Sequence, residues 1–277
     1  MIAYNGGFHA SAVWLDAVAD VLKNGRERAP RGMRTLEIPH RRVDVDLSHP
    51  VVLVPARKLS YAFLAAEALW ILAGDDRVET IAPYNPNIAK FSDDGVRFAG
   101  AYGAPIVAQF DYVVGKLLDD RDTRQAVMTI WRPNPPPSKD IPCTVAIGFD
   151  VYGGRLNCHV TMRSSDLWLG LPYDVFTFSM LAAKVACVYN NVRRTVDGDE
   201  TTAPGIELGW LHLTAWSSHL YARDFEAAKS CVDDGVAPRG NQIPDTWVRD
   251  GRWDSIEESV AACRDKSVAD FHWRIRP

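Results

Sequence analysis

Most of the side chains in this sequence that could do chemistry fall between Ile141 and Ala186. In order they are the thiol of Cys143, the guanidinium of Arg163 beside the hydroxyls of Ser164 and Ser165, and the carboxylates of Asp166 and Asp174. A thiolate attacks electron-poor carbon when nearby positive charge favours it over the thiol. A guanidinium with hydroxyls beside it grips phosphate through paired hydrogen bonds. Glu67 adds a third carboxylate, in the middle of the apolar run YAFLAAEALWIL, Tyr61 to Leu72. An acid in such a run needs a partner or a shifted pKa, which suits proton transfer. Each residue also has an ordinary explanation. A single cysteine is most often a buried structural residue, and Glu67 fits equally well on the one wet edge of a buried helix. A competing chemistry is a Cys–His hydrolase using Cys143 with His159 or His219, but no residue presents itself as the third, orienting group.

These groups sit at the ends of recognisable elements. Alternating apolar residues run from Cys143 to Phe149 and from Leu156 to Met162, joined across Tyr152-Gly153-Gly154, which reads as a hairpin. Leu169 to Asp174 opens a helix carrying Val175 to Val188, with the acid in its first turn. Upstream, Ala10 to Asn24 has helical spacing and ends at Gly25, and Tyr61 to Leu72 reads as a buried helix. Thr35–Ile38 and Val43–Leu47 read as two strands, Ala126–Trp131 as another, and Asp111–Asp119 as a helix. Asp76 to Ala108 is loop-rich, Asp197 to Pro204 a polar turn, Ile206–Leu213 strand-like, and Arg223–Val232 an amphipathic helix; the remainder carries no motif.

The segments Pro142-Cys143, Arg163-Ser164-Ser165-Asp166 and Leu169-Gly170-Leu171-Pro172-Tyr173-Asp174 resemble, in order and layout, the signature of the thymidylate synthase superfamily. Further matches are Glu67, Leu69, Trp70, Leu72, Gly74 and Asp75 on the glutamate-bearing helix, Tyr102-Gly103, and His219-x-Tyr221, so that the resemblance covers about Arg31 to Tyr221. It implies an α+β fold with a large twisted mixed β-sheet flanked by helices, one catalytic domain over residues 1–277, and a homodimer packed through the sheet. It also implies a pyrimidine nucleoside monophosphate as substrate, 5,10-methylenetetrahydrofolate as co-substrate and no metal. The roles it implies are catalysis by Cys143, Glu67, Asp174 and Tyr102. Phosphate falls to Arg31, Arg34, Arg163 and Ser164, with Arg124 reaching in from the partner subunit, and the sugar to His219 and Tyr221. Folate contacts fall to Asp166, Leu169, Gly170, Tyr173 and Trp70. The chain departs from the synthases at Gln125, where a second arginine is expected, at Tyr84 and Phe91 in place of a tryptophan pair, and in its Arg274–Pro277 end.

Within that superfamily the sequence is more similar to the cytidylate hydroxymethylases, on Asp174, Thr144 and Met162. The synthases carry asparagine where this chain has Asp174, and an amide suits the O4 and N3–H of uracil. A carboxylate accepts from the N4 amino group of cytosine and favours a proton on N3. The resemblance therefore implies a CMP or dCMP 5-hydroxymethylase, with a divergent thymidylate synthase, a uridylate hydroxymethylase or an inactive nucleotide-binding paralogue as alternatives. CMP would point to a modified-nucleoside pathway such as antibiotic biosynthesis, dCMP to modified phage DNA.

Composition bounds the rest. The chain has 277 residues, 47% hydrophobic and 24% charged, with a formal charge of −4, which gives no electrostatic case for binding nucleic acid. Five scattered cysteines form no C-x-x-C pair, so neither disulfides nor structural zinc is expected. No apolar run reads as a bilayer span, and Met1 to Val18 lacks the basic-then-apolar pattern of a secretory leader, so a cytoplasmic location is expected.

Overall fold

In the computed structural model, which describes residues 7–197 and 205–265, one mixed sheet carries the fold. Its strands are β1 (Arg26–Arg28), β2 (Thr35–Asp46), β3 (Val127–Thr129), β4 (Thr144–Tyr152), β5 (Arg155–Met162), β6 (Ser165–Asp166) and β7 (Glu207–Tyr221). They lie in the order β1-β2-β7-β5-β4-β3, with β6 also pairing β7. The β5–β7 and β6–β7 pairs are parallel and the others antiparallel. The helices are α1 (Ala10–Asn24), α2 (Tyr61–Leu72), α3 (Val78–Ile81), α4 (Gly103–Asp119), α5 (Leu171–Asp197), α6 (Phe225–Asp234), α7 (Asp245–Arg249) and α8 (Trp253–Asp265). This is the α+β arrangement expected from the sequence.

Helices α1 and α2 coincide with their sequence readings because their ends are chemically marked. Ser60 caps α2 by accepting a hydrogen bond from the Phe63 amide at 3.3 Å, and the Gly25 amide closes α1 on the Val21 carbonyl at 2.9 Å. The hairpin is tightest at its turn, where Tyr152 faces Arg155 and Gly153 and Gly154 both take positive φ, 57° and 79°. Two consecutive left-handed residues make a turn whose twist matches that of the strands, and glycine reaches it without a Cβ clash.

Several boundaries differ from the sequence reading. The two strands expected at Thr35–Ile38 and Val43–Leu47 are one, β2. Pro39 interrupts the apolar pattern and His40 takes φ 51°, yet pairing with β7 holds register from Pro39–Ser217 to Arg41–Ala215. Helix α4 starts at Gly103 rather than Asp111: Pro105 is tolerated in a first turn, and Ile106, Val113 and Leu117 are buried at helical spacing. β7 runs unbroken through both Ile206–Leu213 and the His219-x-Tyr221 motif. Helices α7 and α8 occupy the region in which the sequence carries no motif. By length and composition α5 is apolar enough to cross a membrane, against the sequence reading, but 78% of that stretch is buried inside the protein. The Asp197–Pro204 turn, beyond Asp197, and the Arg274–Pro277 end lie outside the described residues.

The core lies between the sheet and α1, α2, α4 and α5, with Trp14, Phe176, Phe178, Leu64 and Ile147 fully enclosed. A smaller cluster of Phe63, Ala66, Val78, Ile81 and Phe98 packs beside it, touching Trp70 and Tyr173. The two clusters flank the helix turn that holds Glu67.

Candidate active site

Cys143 is partly buried and directly precedes β4, and the loop that carries it is held from both sides. Its carbonyl accepts from the Arg163 amide at 2.8 Å, while the Arg163 guanidinium donates to the carbonyls of Pro142 (2.9 Å) and Ile141 (2.8 Å). On the other side, the next amide, Thr144, donates to the Tyr102 hydroxyl at 3.3 Å. Tyr102 immediately precedes α4 and lies parallel to Phe178 of α5, with ring centroids 6.5 Å apart. A third tether was not legible in the sequence: the Asp140 carboxylate accepts from the Gly100 amide at 2.7 Å. A Cβ at Gly100 would stand 2.9 Å from the Asp140 carbonyl oxygen and 3.0 Å from the Pro142 nitrogen, so that only glycine permits this approach.

Three carboxyls and a phenol share the interior with the thiol. Burial, then the charge of Asp174, pushes the Glu67 carboxyl up to about 8. Burial, then Asp166, pushes Asp174 up to about 7. Tyr102 is raised well above its ordinary value by burial, with Asp174 and Cys143 adding to the effect. Burial also pushes the Cys143 thiol up; Arg163 pulls against it, and Asp174, Asp140 and Asp166 push the same way as burial. Burial thus favours the uncharged forms of Cys143, Glu67 and Asp174 in the free protein. Arg163 is the neighbouring cation that favours the Cys143 thiolate, and burial works against it with the larger effect.

The α5 start sets the last group of side chains. Asp166 Oδ1 accepts from the amides of Trp168 (2.8 Å) and Leu169 (3.0 Å), and the Gly170 carbonyl accepts from Tyr173 (2.9 Å) and Asp174 (3.0 Å), which begins the helix with Asp174 in its first turn. Leu169 remains exposed and Tyr173 meets Phe63 edge to face at 5.0 Å. Trp70 is anchored, donating to Thr80 at 3.0 Å and meeting Phe98 edge-on. A residue that no motif flagged, Arg57, stacks over the Trp168 ring at 4.2 Å, donates to the Trp168 carbonyl at 2.7 Å and keeps a buried Nε without a partner.

The sugar and phosphate candidates divide into two groups. His219 and Tyr221 share a face of β7 with rings edge to face at 5.2 Å, and β6 places Asp166 opposite His219. The His219 ring contacts Ser217, which donates to Glu37 at 2.8 Å. Arg34 reaches the same end: its carbonyl accepts from Ala222 at 3.0 Å, and its exposed guanidinium pairs with Glu27. Arg31 is exposed with φ 53° in the turn between β1 and β2. Arg124 is exposed next to β3, whereas Arg31 and Arg34 lie in the turn joining β1 to β2, so the sheet's two opposite edges separate them within one chain. His159, the alternative partner for Cys143, instead pairs with Asp150 at 2.9 Å on the exposed face. Among the described residues, no cluster of three or more His, Cys, Asp or Glu side chains could hold a metal ion.

The arrangement brings the Cys143 thiol, the Tyr102 phenol and the raised carboxyls of Glu67 and Asp174 together. The sequence model of the thymidylate synthase family matches residues 12–258. The chain is also similar to a deoxyuridylate hydroxymethyltransferase of Bacillus phage SP01, 31% identical over 246 residues that cover 80% of this chain and 59% of the relative. The chain thus spans about three fifths of that relative's length.

Proposed function

The chain belongs to the thymidylate synthase family, and on that footing we propose that it is a cytidylate 5-hydroxymethylase working as one catalytic domain. The observation that carries the base assignment is Asp174, a carboxyl pushed up to about 7 beside Cys143 and Tyr102. An acid that titrates near neutrality can accept from the cytosine N4 amino group and share a proton with N3, which makes C6 more electrophilic. Placing a uracil opposite the ionised acid leaves O4 facing a group with no donor, at a cost of roughly 1–3 kcal/mol, whereas the protonated acid would meet uracil as an amide does. A uridylate substrate is the second reading, favoured by the substrate in the phage relative's name.

In this mechanism Cys143 loses its proton as the nucleotide binds and adds to C6, so that C5 becomes nucleophilic. 5,10-methylenetetrahydrofolate supplies, when bound, the one-carbon unit. The residues present fit it: Leu169 is exposed, Tyr173 closes one wall, and the unpartnered Nε of Arg57 offers a buried donor. Asp166, Gly170 and Trp70 shape that wall. Glu67 moves protons through ordered water, which its place near 8 allows in either direction around neutral pH. Tyr102 handles the C5 proton. His219 and Tyr221 hold the sugar, and Arg31, Arg34, Arg163 and Ser164 the phosphate. Arg163 reaches phosphate only by sharing or releasing the carbonyls of Ile141 and Pro142. The separation of Arg124 from Arg34 across the sheet supports a homodimer in which Arg124 serves the partner's site.

The test is tritium release from 5-tritiated CMP, dCMP, UMP and dUMP with the folate present, while absorbance is followed for dihydrofolate. Folate-dependent release from a cytidylate without dihydrofolate is the expected result. Release from dUMP with dihydrofolate formation would make the chain a synthase and overturn the Asp174 assignment, and no release from any nucleotide would leave a binding protein.

A further inference from the structure

We infer that Ser217 and Glu37 are positioning residues that fix which nitrogen of His219 carries the proton, and so select a substrate with a free sugar hydroxyl. The inference rests on the reading of His219 as a sugar contact. Along one face of β7 the side chains run Leu211, Leu213 and Ala215, then Ser217, His219 and Tyr221, so apolar gives way to polar where β6 joins the strand. In the β2–β7 register Glu37 stands directly opposite His219, with Ser217 on the diagonal. The Ser217 hydroxyl donates to the Glu37 carboxylate at 2.8 Å, and its oxygen lies 3.4 Å from His219 Nδ1.

A serine hydroxyl has one proton, and the carboxylate, which only accepts, has taken it. What Ser217 Oγ turns to the ring is therefore a lone pair. In a neutral imidazole the nitrogen facing a lone pair is the one that carries hydrogen, so Nδ1 donates and Nε2 keeps its own lone pair. The contact at 3.4 Å is long, as such bonds often are in a free protein before a ligand tightens them. His219 is only 7% exposed, so these neighbours rather than bulk water choose the tautomer. Among the described residues no protein group hydrogen-bonds its Nε2, which leaves that acceptor for a ligand.

An acceptor at Nε2 calls for a donor on the sugar. The 3′-hydroxyl is the one sugar donor that CMP and dCMP share, so it is the group assigned to Nε2. A nucleotide linked through its 3′ oxygen inside a strand has no proton to give there. The Glu37–Ser217–His219 chain thus favours a free mononucleotide over a residue of a nucleic acid, by hydrogen-bond polarity rather than by charge. Neither Ser217 nor Glu37 touches the sugar; both act through His219.

Calorimetry on the full chain reads the affinities for CMP and dCMP and for their 3′-fluoro-3′-deoxy counterparts, in which a smaller atom without a proton replaces the hydroxyl. The wild type should bind the better cytidylate about tenfold tighter than its fluoro counterpart. Ser217→Ala, which frees the tautomer, and Glu37→Leu, which lets the Ser217 proton turn to Nδ1, should each cut that ratio to about threefold or less. Ser217→Thr, which keeps the hydroxyl, should hold the wild-type ratio. A tenfold ratio surviving in Ser217→Ala or Glu37→Leu, or lost in Ser217→Thr, overturns the inference and leaves the nucleotide reading intact, as does a wild type that binds both forms alike. A wild type that binds only uridylates overturns the cytosine assignment alone, and the ratio is then read with the uridylate and its fluoro counterpart. Binding of no nucleotide overturns both. Should Ser217→Ala not fold, Glu37→Leu decides by the same ratio.

Discussion

The loop around Cys143 and the turn that carries Arg31 and Arg34 serve opposite needs and are built oppositely. Around Cys143 the backbone is held by Arg163, by the Tyr102 hydroxyl and by the Asp140–Gly100 contact, and the ionisable groups are shifted by burial. Around Arg31 the chain is exposed, turns through a left-handed residue, and shows one surface ion pair, Arg34 with Glu27. A reacting carbon tolerates little misplacement. A phosphate, by contrast, is met by long side chains that adapt to it. Rigidity belongs to the bond-making centre and slack to the rim.

If that contrast holds, the largest losses come from the rigid side. Cys143→Ser should lower turnover by about a thousandfold or more while nucleotide affinity, read by calorimetry, stays within a few-fold. Glu67→Gln should cost roughly 10²–10⁴ in kcat, and it carries a stability signature as well. An acid raised from 4.5 to about 8 stabilises the fold fully below about pH 4.5, and that contribution is lost as pH rises through about 8. Urea midpoints should therefore fall between about pH 5 and 8 in the wild type and fall less in Glu67→Gln; equal slopes would refute the burial of that charge.

Next in size, Asp174→Asn should shift preference toward the uridylate by roughly 1–3 kcal/mol in relative kcat/KM, and an unchanged cytosine preference would break the base assignment. Gly100→Ala, outside the reacting groups, should still cut kcat about tenfold by prising Asp140 from the Cys143 loop, because its Cβ would lie 2.9 Å from the Asp140 carbonyl. Smallest of all, Glu27→Ala should change stability by less than about 1 kcal/mol, as expected for an exposed pair, and lower the KM for nucleotide by freeing Arg34. If Gly100→Ala proves silent and Glu27→Ala severe, the two regions have been assigned the wrong way round.

The same contrast governs what could be read from sequence. Helix α1 and the β4–β5 hairpin announce themselves through Gly25 and Gly153-Gly154, residues whose local chemistry sets an end or a turn, and α2 through its unbroken apolar run. The start of α4 and the continuity of β2 do not, since Pro39 and Pro105 look like breaks and are overridden by pairing with β7 and by packing of Ile106. Site motifs made Cys143, Glu67 and Asp174 stand out. Asp140, Gly100 and Arg57 stayed invisible because their roles come from contacts across the fold: Asp140 meets Gly100 over 40 residues, and Arg57 meets Trp168 over 111.

The placement of β7 has a consequence for how the chain reaches this state. β7 sits between β2 and β5 and pairs with both, so the middle of the sheet is closed by a strand near the end of the chain. Thr35 meets Tyr221 in that pairing, and contacts of such sequence separation are formed slowly because a long loop must close first. During synthesis the inner edges of β2 and β5 are therefore open until residue 221 has emerged from the ribosome. Open strand edges template pairing with other chains, so refolding yield should fall with protein concentration, and a chain stopped before Glu207 should aggregate rather than fold.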